Sequence, residues 1–313
     1  KMVKSMEHIY DMIIIGGGPA GFTAALYASR AGFDTLVLER MSVGGQMTLT
    51  DVIDNYPGFP QGVDGFTLSA NMEQGAHRFG AKTMYDEVTS VDLAGEIKEI
   101  ETAFSGKLYA KTVVIATGAN PRELGLENEQ ELTGAGVHYC AHCDGRFYKD
   151  KVAVVVGGGN SAVSDALYLS NLCSKVYLVH RRDVLRATKI YHDPVMKAQN
   201  IEFCYNSVLS KIDTENGKVS SVTLIDTKTN LKRDIECDGV FISIGRKPAT
   251  EFLDGAIELD KGGYIVADES TKTSIEGLYA VGDVRTKVLR QVVTAVADGA
   301  VAAHYAEEYL LKK

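Results

Sequence analysis

The stretch DMIIIGGGPAG, residues 11–21, decides the fold of this chain. Its first five residues, 11–15, form an apolar run rich in β-branched side chains, which is typical of a buried parallel strand. A GxGxxG pattern follows, and residues 22–31 predict a helix that ends near Gly32. The glycines allow a tight turn and let the backbone approach a pyrophosphate at the helix N-terminus. The stretch therefore predicts a dinucleotide-binding βαβ unit.

An acidic residue completes this first fingerprint. The next predicted strand, Thr35–Leu38, ends at Glu39, about 20 residues after Gly16, where an acid accepts hydrogen bonds from ribose hydroxyl groups. Strand, glycines, helix, strand and acid occur in the required order. We predict that this site binds a nucleotide with an unphosphorylated ribose.

A second fingerprint begins at Lys151. Val152–Val156 predicts a buried strand, residues 157–162 form a GxGxxA pattern, and residues 163–172 predict a helix before a strand at 176–179. The chain therefore contains two copies of one supersecondary plan.

Basic residues replace the acid at the end of this second fingerprint. His180 takes the position of Glu39, and Arg181, Arg182 and Arg186 follow it. A carboxylate would repel a 2′-phosphate, whereas a guanidinium binds it through paired, charge-assisted hydrogen bonds. The second site is therefore predicted to bind NADPH.

Further strands close each copy and indicate how the copies are connected. Residues 112–118 end the first copy with a strand and a small-residue turn, and residues 239–245 end the second in the same way. A third strand with an acidic turn, residues 278–283, returns near the C-terminus. We predict an α/β chain of two Rossmann-like domains, with one domain (118–248) inserted in the other (1–117 plus 249–313).

Composition limits the classes of function. The chain has 313 residues, of which 45% are hydrophobic and 24% charged, and its net charge is −8. The negative charge argues against a general role on nucleic acid or on an anionic membrane. No apolar run approaches the roughly 18 residues of a membrane span, and residues 1–8 lack the apolar stretch of a signal peptide. We expect a cytoplasmic protein.

A Cys-x-x-Cys motif lies between the two fingerprints. Cys140 and Cys143 are separated by two residues and followed by Asp144. Such a pair cycles between dithiol and disulfide, and between two dinucleotide sites it is interpreted as the middle of an electron relay. The alternative is half of a zinc site with His138 or His142, but a closed zinc site needs four ligands and the sequence offers no second pair.

At this point the sequence resembles the low-molecular-weight, prokaryotic-type thioredoxin reductases over essentially its whole length. The matching motifs are residues 16–21, 44–46, 55–58, 116–118, 140–145, 157–162, 180–186, 282–284 and 290–291.

The resemblance implies a three-layer ββα architecture in each domain, with FAD in the first domain and NADPH in the second. It implies an FAD site at Gly16, Gly18, Pro19, Ala20, Gly21, Glu39, Arg40, Gly44, Gly45, Gln46, Met47, Asn55, Ala116, Thr117, Gly118, Gly282, Asp283, Arg290, Gln291 and Val292. It implies an NADPH site at Gly157, Gly159, Asn160, Ser161, Ala162, His180, Arg181, Arg182, Arg186, Ile244 and Gly245.

The same resemblance implies the catalytic roles. Cys143 faces the flavin, Cys140 attacks the disulfide of thioredoxin, and Asp144 is the general acid. The resemblance also implies a homodimer and a rotation of one domain against the other during turnover.

Two positions depart from the family pattern. His142 stands where threonine is usual, and Ser164–Asp165 replaces a pair of acids after the second fingerprint. Two other enzymes on this scaffold remain open, namely a dithiol oxidase that returns electrons to oxygen and a reductase of a different small disulfide protein. A flavin-linked redox sensor without fast turnover is a further alternative.

Overall fold

The computed structural model describes residues 8–49 and 52–313, which form two compact units. Unit 1 comprises the residues up to Asn120 together with Lys247–Lys313, and unit 2 comprises Pro121–Arg246. Unit 2 is therefore inserted in the sequence of unit 1.

The elements before unit 2 are β1 (Ile9–Ile15), α1 (Pro19–Arg30), β2 (Thr35–Glu39), α2 (Gly65–His77), β3 (Lys82–Tyr85), β4 (Val88–Asp92), β5 (Lys98–Thr102), β6 (Gly106–Ile115) and β7 (Ala119–Pro121). The next elements are β8 (Val137–His138), α3 (Ala141–Asp144), β9 (Val152–Val156), α4 (Asn160–Ser170), β10 (Lys175–Val179), α5 (Lys189–Lys197), β11 (Ile201–Cys204), β12 (Ser207–Glu215), β13 (Lys218–Asp226), β14 (Lys232–Glu236) and β15 (Gly239–Ile242). The chain ends with β16 (Arg246–Pro248), β17 (Leu278–Ala280) and α6 (Val292–Leu310).

The sheet of unit 1 has the strand order β3-β2-β1-β6-β5-β4, and β17 also pairs with β6. Strands β3, β2, β1, β6 and β17 run parallel, whereas β4 and β5 continue the sheet as an antiparallel meander. The carboxyl ends of β1, β6 and β17 therefore lie side by side, which is the edge where open α/β sheets bind nucleotides.

Alternating side chains of β1 fill two cores. Met12 and Ile14 pack with the helices α1 and α6, whereas Ile13 and Ile15 pack on the opposite face with residues such as Leu253. Strand side chains alternate between the two faces of a sheet, and here both faces are covered. An uninterrupted apolar run at β1 is the sequence pattern that this burial requires.

Helices α1 and α6 approach closely through small residues. A Cβ atom on Gly299 would lie 2.2 Å from the carbonyl oxygen of Ala20, and Ala20, Ala24 and Ala302 are buried in the same core. The missing side chain at Gly299 lets α6 pack directly on the first turn of α1.

Unit 2 has three layers. Its parallel sheet has the order β11-β10-β9-β15-β8, and β12-β13-β14 form an antiparallel sheet. Ala153 and Val155 of β9 pack with α4, whereas Val154 and Val156 pack with residues of the antiparallel sheet such as Val222. The α/β fold with two Rossmann-like units is therefore confirmed.

Both fingerprint helices begin earlier than the sequence predicts. Helix α1 begins at Pro19 rather than at residue 22, and α4 begins at Asn160 rather than at residue 163. The extended residues Gly18 and Gly159 are the N-caps, so the second half of each glycine motif already belongs to the first helical turn. Proline suits this turn because its φ is fixed near the helical value.

The two chain crossings between the units pair with each other as the short strands β7 and β16. Beside them the Arg122 N–H donates to the Gly245 carbonyl at 3.0 Å, and the Ala249 N–H donates to the Gly118 carbonyl at 3.0 Å. Both glycines have positive φ, +70° at Gly118 and +105° at Gly245, which favours glycine over any other residue.

None of the helices within residues 8–49 and 52–313 combines the length and the apolarity that crossing a bilayer requires.

Candidate active site

The first glycine motif holds β1, β6 and α1 in close contact. Gly16 has a φ of +112°, and a Cβ atom there would lie 2.4 Å from the carbonyl oxygen of Ala116. A Cβ atom on Gly21 would lie 2.0 Å from the carbonyl oxygen of Gly16. Both positions exclude a side chain, and the backbone at the start of α1 stays open to a ligand.

Glu39 lies at the end of β2, as the motif requires. Its Oε2 accepts a hydrogen bond from the Gly17 N–H at 2.8 Å, and its Oε1 accepts one from the Met41 N–H at 3.1 Å. These bonds fix the carboxylate against the glycine turn, beside the position that a ribose takes in this motif.

Two distant segments of unit 1 meet near this turn. The Gly44 N–H donates to the Gly17 carbonyl at 2.8 Å, and Asn55 donates to Gln291 Oε1 at 2.9 Å. The Arg290 guanidinium lies 4.1 Å from the centre of the Tyr264 ring. The 44–47 turn and the start of α6 are therefore held by contacts that the sequence does not reveal.

A buried charged network fixes the turn after β17. Asp298 accepts hydrogen bonds from the Gly282 N–H at 2.8 Å, from Arg285 at 2.8 and 2.9 Å, and from Lys287 at 2.8 Å. Burial alone raises the pKa of Asp298, but the bonds from Arg285 and Lys287 outweigh it and hold this pKa below its ordinary value. We call these four residues the Asp298 network. Sequence analysis missed it, since only the fold brings its members together.

All residues predicted for the first nucleotide lie in unit 1. The fold places most of them at the carboxyl edge of the parallel strands or in the loops that follow these strands. They are residues 16–21, 39, 44–47, 116–118 and 282–283. Arg40 directly follows β2 at this edge, is exposed, and pairs with Glu87 at 3.6 Å.

The second glycine motif repeats this packing in unit 2. Gly157 has a φ of +148°, and a Cβ atom there would lie 2.4 Å from the Ser243 carbonyl oxygen. A Cβ atom on Gly158 would lie 2.3 Å from Nδ1 of His180, so the imidazole fills the space that a side chain would need. His180 is thus a packing partner of the turn.

The basic residues after His180 differ from it in exposure. Burial, together with the charges of Arg186, Arg182 and Arg181, lowers the pKa of His180, so its ring is neutral. The three arginines are exposed, and the Arg186 N–H donates to the Gly158 carbonyl at 2.7 Å. The charge available to a 2′-phosphate at this edge therefore comes from the arginines.

All residues predicted for NADPH lie in unit 2. Asn160 Oδ1 also accepts a hydrogen bond from the Thr188 N–H at 2.8 Å, which ties the start of α4 to the start of α5. Ser161 is exposed in the first turn of α4, while Ala162 is buried beneath it.

Cys140 and Cys143 form a disulfide at the short helix α3, with 5.3 Å between their Cα atoms. Cys173, Cys204 and Cys237 are buried free thiols. Burial raises the pKa of Cys173 to about 11 and that of Cys237 to about 12, so both stay protonated at neutral pH. The redox pair is therefore chemically distinct from these three cysteines.

Asp144, next to Cys143, belongs to a second buried cluster. Its Oδ2 lies 3.1 Å from Nδ1 of His138, and Nε2 of His138 lies 2.6 Å from the Tyr148 hydroxyl. All three residues are less than 9% exposed. We call them the His138 network. The sequence named His138 only as a possible zinc ligand and gave no signal for Tyr148.

His142, between the cysteines, has partners on α4. Its ring stacks on Tyr168 with centroids 4.4 Å apart, and its Nδ1 lies 3.7 Å from Asp165, whose carboxylate accepts a hydrogen bond from Ser243. The two departures from the family pattern, His142 and Asp165, thus contact each other. Among residues 8–49 and 52–313, no group of three or more His, Cys, Asp or Glu side chains is arranged to hold a metal ion.

Comparison with known proteins agrees with this arrangement. Residues 10–299 match the family model described as pyridine nucleotide-disulphide oxidoreductase. The chain is 46% identical over 305 residues to the thioredoxin reductase of Treponema pallidum (strain Nichols), covering 97% of this chain and 98% of that protein.

The chain belongs to the thioredoxin reductase family. The thioredoxin reductase of Bacillus subtilis (strain 168) is 45% identical over 308 residues, covering 97% of each chain. The crystal structure of the Streptococcus pyogenes MGAS5005 thioredoxin reductase superposes with a TM-score of 0.90 at 42% identity, covering 97% of this chain and 99% of that one. The family resemblance predicted from the sequence is therefore confirmed, and the family uses FAD and NADPH.

Proposed function

We propose that this chain carries electrons from NADPH, through FAD and the Cys140–Cys143 pair, to the disulfide of thioredoxin. One observation carries the proposal: a Cys-x-x-Cys disulfide stands in unit 2, which also holds a glycine motif flanked by arginines, while unit 1 holds a glycine motif ended by an acid. The names of the relatives support thioredoxin as the protein substrate.

We assign FAD to the domain of residues 1–117 plus 249–313. Two features support this assignment, namely the open glycine turn at the start of α1 and the carboxylate of Glu39, which is fixed beside it. The turn at Gly282–Asp283, held by Asp298, reaches the same edge of the sheet through β17. These residues would bind the pyrophosphate and ribose hydroxyls of FAD.

We assign NADPH to the domain of residues 118–248. The start of α4 offers free backbone N–H groups to a pyrophosphate, and Arg181, Arg182 and Arg186 offer positive charge to a 2′-phosphate. A neutral, buried His180 leaves that role to the arginines.

The overall reaction consumes NADPH, one proton and a protein disulfide, and it yields NADP⁺ and a protein dithiol. Bound FAD would supply the two-electron chemistry that links the nicotinamide to the Cys140–Cys143 disulfide. In the reduced protein, the Cys140 thiolate attacks the disulfide of thioredoxin, and Cys143 then displaces the reduced substrate from the mixed disulfide. Asp144 exchanges a proton with the Cys143 sulfur.

The decisive experiment compares single cysteine variants of the FAD-loaded protein. We expect Cys140→Ser and Cys143→Ser to lose NADPH-dependent thioredoxin reduction, measured anaerobically, because neither variant can form the disulfide. Cys204→Ala, which removes a buried thiol outside the pair, is the matched control and should stay active. Full activity in either serine variant would exclude the dithiol from the mechanism.

The same assay separates the alternatives. NADPH oxidation that depends on oxygen instead of thioredoxin would identify a dithiol oxidase. Activity with a different small disulfide protein, but not with thioredoxin, would identify another reductase on the same scaffold. Turnover far below roughly 1 per second would favour a redox sensor.

We also propose that the protein is a cytoplasmic homodimer whose two domains rotate against each other during turnover. The dithiol must meet the flavin and then a protein substrate, and NADPH must reach the same flavin. Sedimentation equilibrium tests the dimer. Undiminished turnover after covalent cross-linking of the two domains would exclude the rotation.

A further inference from the structure

His138 lies beside the dithiol, and neither nucleotide site uses it. It lies on β8, is 6% exposed, and its ring stacks on Phe241 with centroids 5.2 Å apart. One ring nitrogen contacts Asp144 at 3.1 Å and the other contacts Tyr148 at 2.6 Å. Partners at both nitrogens and on one face hold this ring in a single orientation.

Tyr148 influences which ring nitrogen of His138 carries the proton. Burial raises the pKa of Tyr148 well above its ordinary value, and the nearby Asp144 and Asp238, with the buried Cys237 and Cys173, raise it further. The Tyr148 hydroxyl therefore keeps its proton, and at 2.6 Å it is placed to donate that proton to Nε2 of the histidine. A neutral imidazole that accepts at Nε2 carries its own proton on Nδ1, and this N–H donates to Asp144.

The opposite tautomer is unfavourable. It would turn the Nδ1 lone pair of His138 toward the carboxylate of Asp144 and leave a buried repulsion. Lys151, in the segment before β9, brings a cation to this cluster, with its Nζ 5.5 Å from the centre of the Tyr148 ring. The described contacts thus favour the His138 tautomer that carries its proton on Nδ1 and donates it to Asp144.

We propose that His138 is a positioning residue that acts through Asp144 on proton transfer at Cys143. This inference rests on the proposed function, in which Asp144 exchanges a proton with that sulfur. The Nδ1–H bond holds Oδ2, so Oδ1 is the oxygen left to exchange the proton. When reduction opens the S–S bond, Asp144 relays one proton from solvent to the Cys143 sulfur, and its carboxylate takes a proton back from this thiol when the disulfide re-forms.

A double-mutant cycle on the reduced protein tests this role without NADPH or thioredoxin. In a Cys140→Ser background, the rate of Cys143 alkylation by iodoacetamide is measured against pH by mass spectrometry. We expect Asp144→Asn to shift the pH midpoint of the alkylation rate, and His138→Leu to shift this midpoint in the same direction. The double variant should shift it no further than Asp144→Asn. Additive shifts, or no shift in His138→Leu, would overturn the proposal.

Two conservative variants sharpen this measurement. His138→Asn places an amide N–H close to the position of Nδ1, so we expect it to restore most of the wild-type midpoint. Tyr148→Phe keeps the packed ring but removes the hydroxyl that favours one tautomer of His138. It should shift the pH midpoint in the same direction as His138→Leu, but by less. An asparagine variant that behaves like the leucine variant would contradict an effect carried by the hydrogen bond.

Steady-state kinetics separate this inference from the proposed function. In His138→Leu, we expect kcat for thioredoxin to fall about tenfold with little change in KM, while NADPH-dependent ferricyanide reduction, which bypasses the dithiol, stays unchanged. Equal loss of both activities would overturn the positioning role, because His138 would then act on the fold. A wild-type protein with the expected alkylation profile but no thioredoxin reduction would contradict the proposed function alone.

Discussion

At the scale of single residues, Asp298 shows how much a buried charge constrains the turn after β17. It is 5% exposed and neutralises Arg285, which is 1% exposed, while also holding the amide of Gly282. The network links the loop after β17 to α6 and to Lys287. Each buried charge of the Asp298 network is therefore compensated by the other members.

We expect Asp298→Asn to lower the free energy of unfolding by about 3–5 kcal/mol, because it leaves Arg285 and Lys287 buried with a neutral partner. Urea denaturation at pH 7 measures the change. The control is Glu251→Gln, which breaks the exposed ion pair with Lys247 and should barely move the midpoint. An equal effect in both variants would contradict the role of burial.

The same carboxylate gives a pH dependence of defined sign. The pKa of Asp298 in the folded protein is below its ordinary value of 3.8, so the folded state holds the ionised form more tightly. Its stabilisation is fully present above pH 3.8 and is lost as the pH falls through the lowered pKa. Acid titration monitored by circular dichroism should show this loss in the wild type and a weaker pH dependence in Asp298→Asn.

We expect nucleotide choice to depend on single residues as well. We expect Arg181→Ala to raise KM for NADPH about tenfold or more while leaving KM for NADH nearly unchanged, since only NADPH carries a 2′-phosphate. The ferricyanide assay measures both constants. Lys197→Gln, which removes an exposed positive charge at the end of α5, is the control. Parallel losses for both nucleotides would exclude a specific phosphate contact.

At the scale of elements, the contact between α1 and α6 determines how the helices of unit 1 pack. Gly299 has no side chain, so α6 lies directly on the carbonyl of Ala20 at the start of α1. The position of the glycine turn before α1 thus depends on a glycine that lies far from it in the sequence.

A matched pair of glycine substitutions tests this dependence. We expect Gly299→Ala to destabilise the protein and to reduce the FAD bound after purification, because its Cβ would lie 2.2 Å from the Ala20 carbonyl oxygen. Gly75→Ala, in α2, meets no atom within 4 Å and should stabilise its helix by up to about 1 kcal/mol. Thermal unfolding and flavin absorbance measure both variants. A stable, fully loaded Gly299→Ala protein would contradict the packing argument.

The sequence predicted those parts of the site whose requirements are local. Gly16 and Gly157 were identified because a tight strand-to-helix turn needs glycine at fixed spacing, and Glu39 because it ends the next strand. The helix starts were predicted three residues late, since the glycine motif hides the N-cap. Asp298 and His138 gave no usable signal, because their partners are set by packing between elements and not by spacing along the chain.

At the scale of the whole molecule, the two units differ in how their chain is assembled. Unit 2 is one continuous segment with a core on each face of its parallel sheet. Unit 1 needs β17 and α6, which follow unit 2 in the sequence, to complete its sheet and its helix packing.

We therefore expect a fragment of residues 119–247 to fold by itself and to bind 2′,5′-ADP, with cooperative unfolding and a measurable heat of binding. A fragment of residues 1–120 lacks β17 and α6, and we expect it to stay unfolded. Calorimetry and circular dichroism distinguish these outcomes. A folded N-terminal fragment would show that the returning segment is dispensable.

The pairing of β7 with β16 has a consequence for how such a gene can change. The two ends of the inserted segment lie within the roughly 5 Å spacing of neighbouring strands, so a different domain with adjacent termini could be spliced between them. A short turn could equally close the gap and leave a stand-alone flavin domain. Exchange of this single coding segment would thus give a new electron donor or acceptor while the flavin framework is inherited intact.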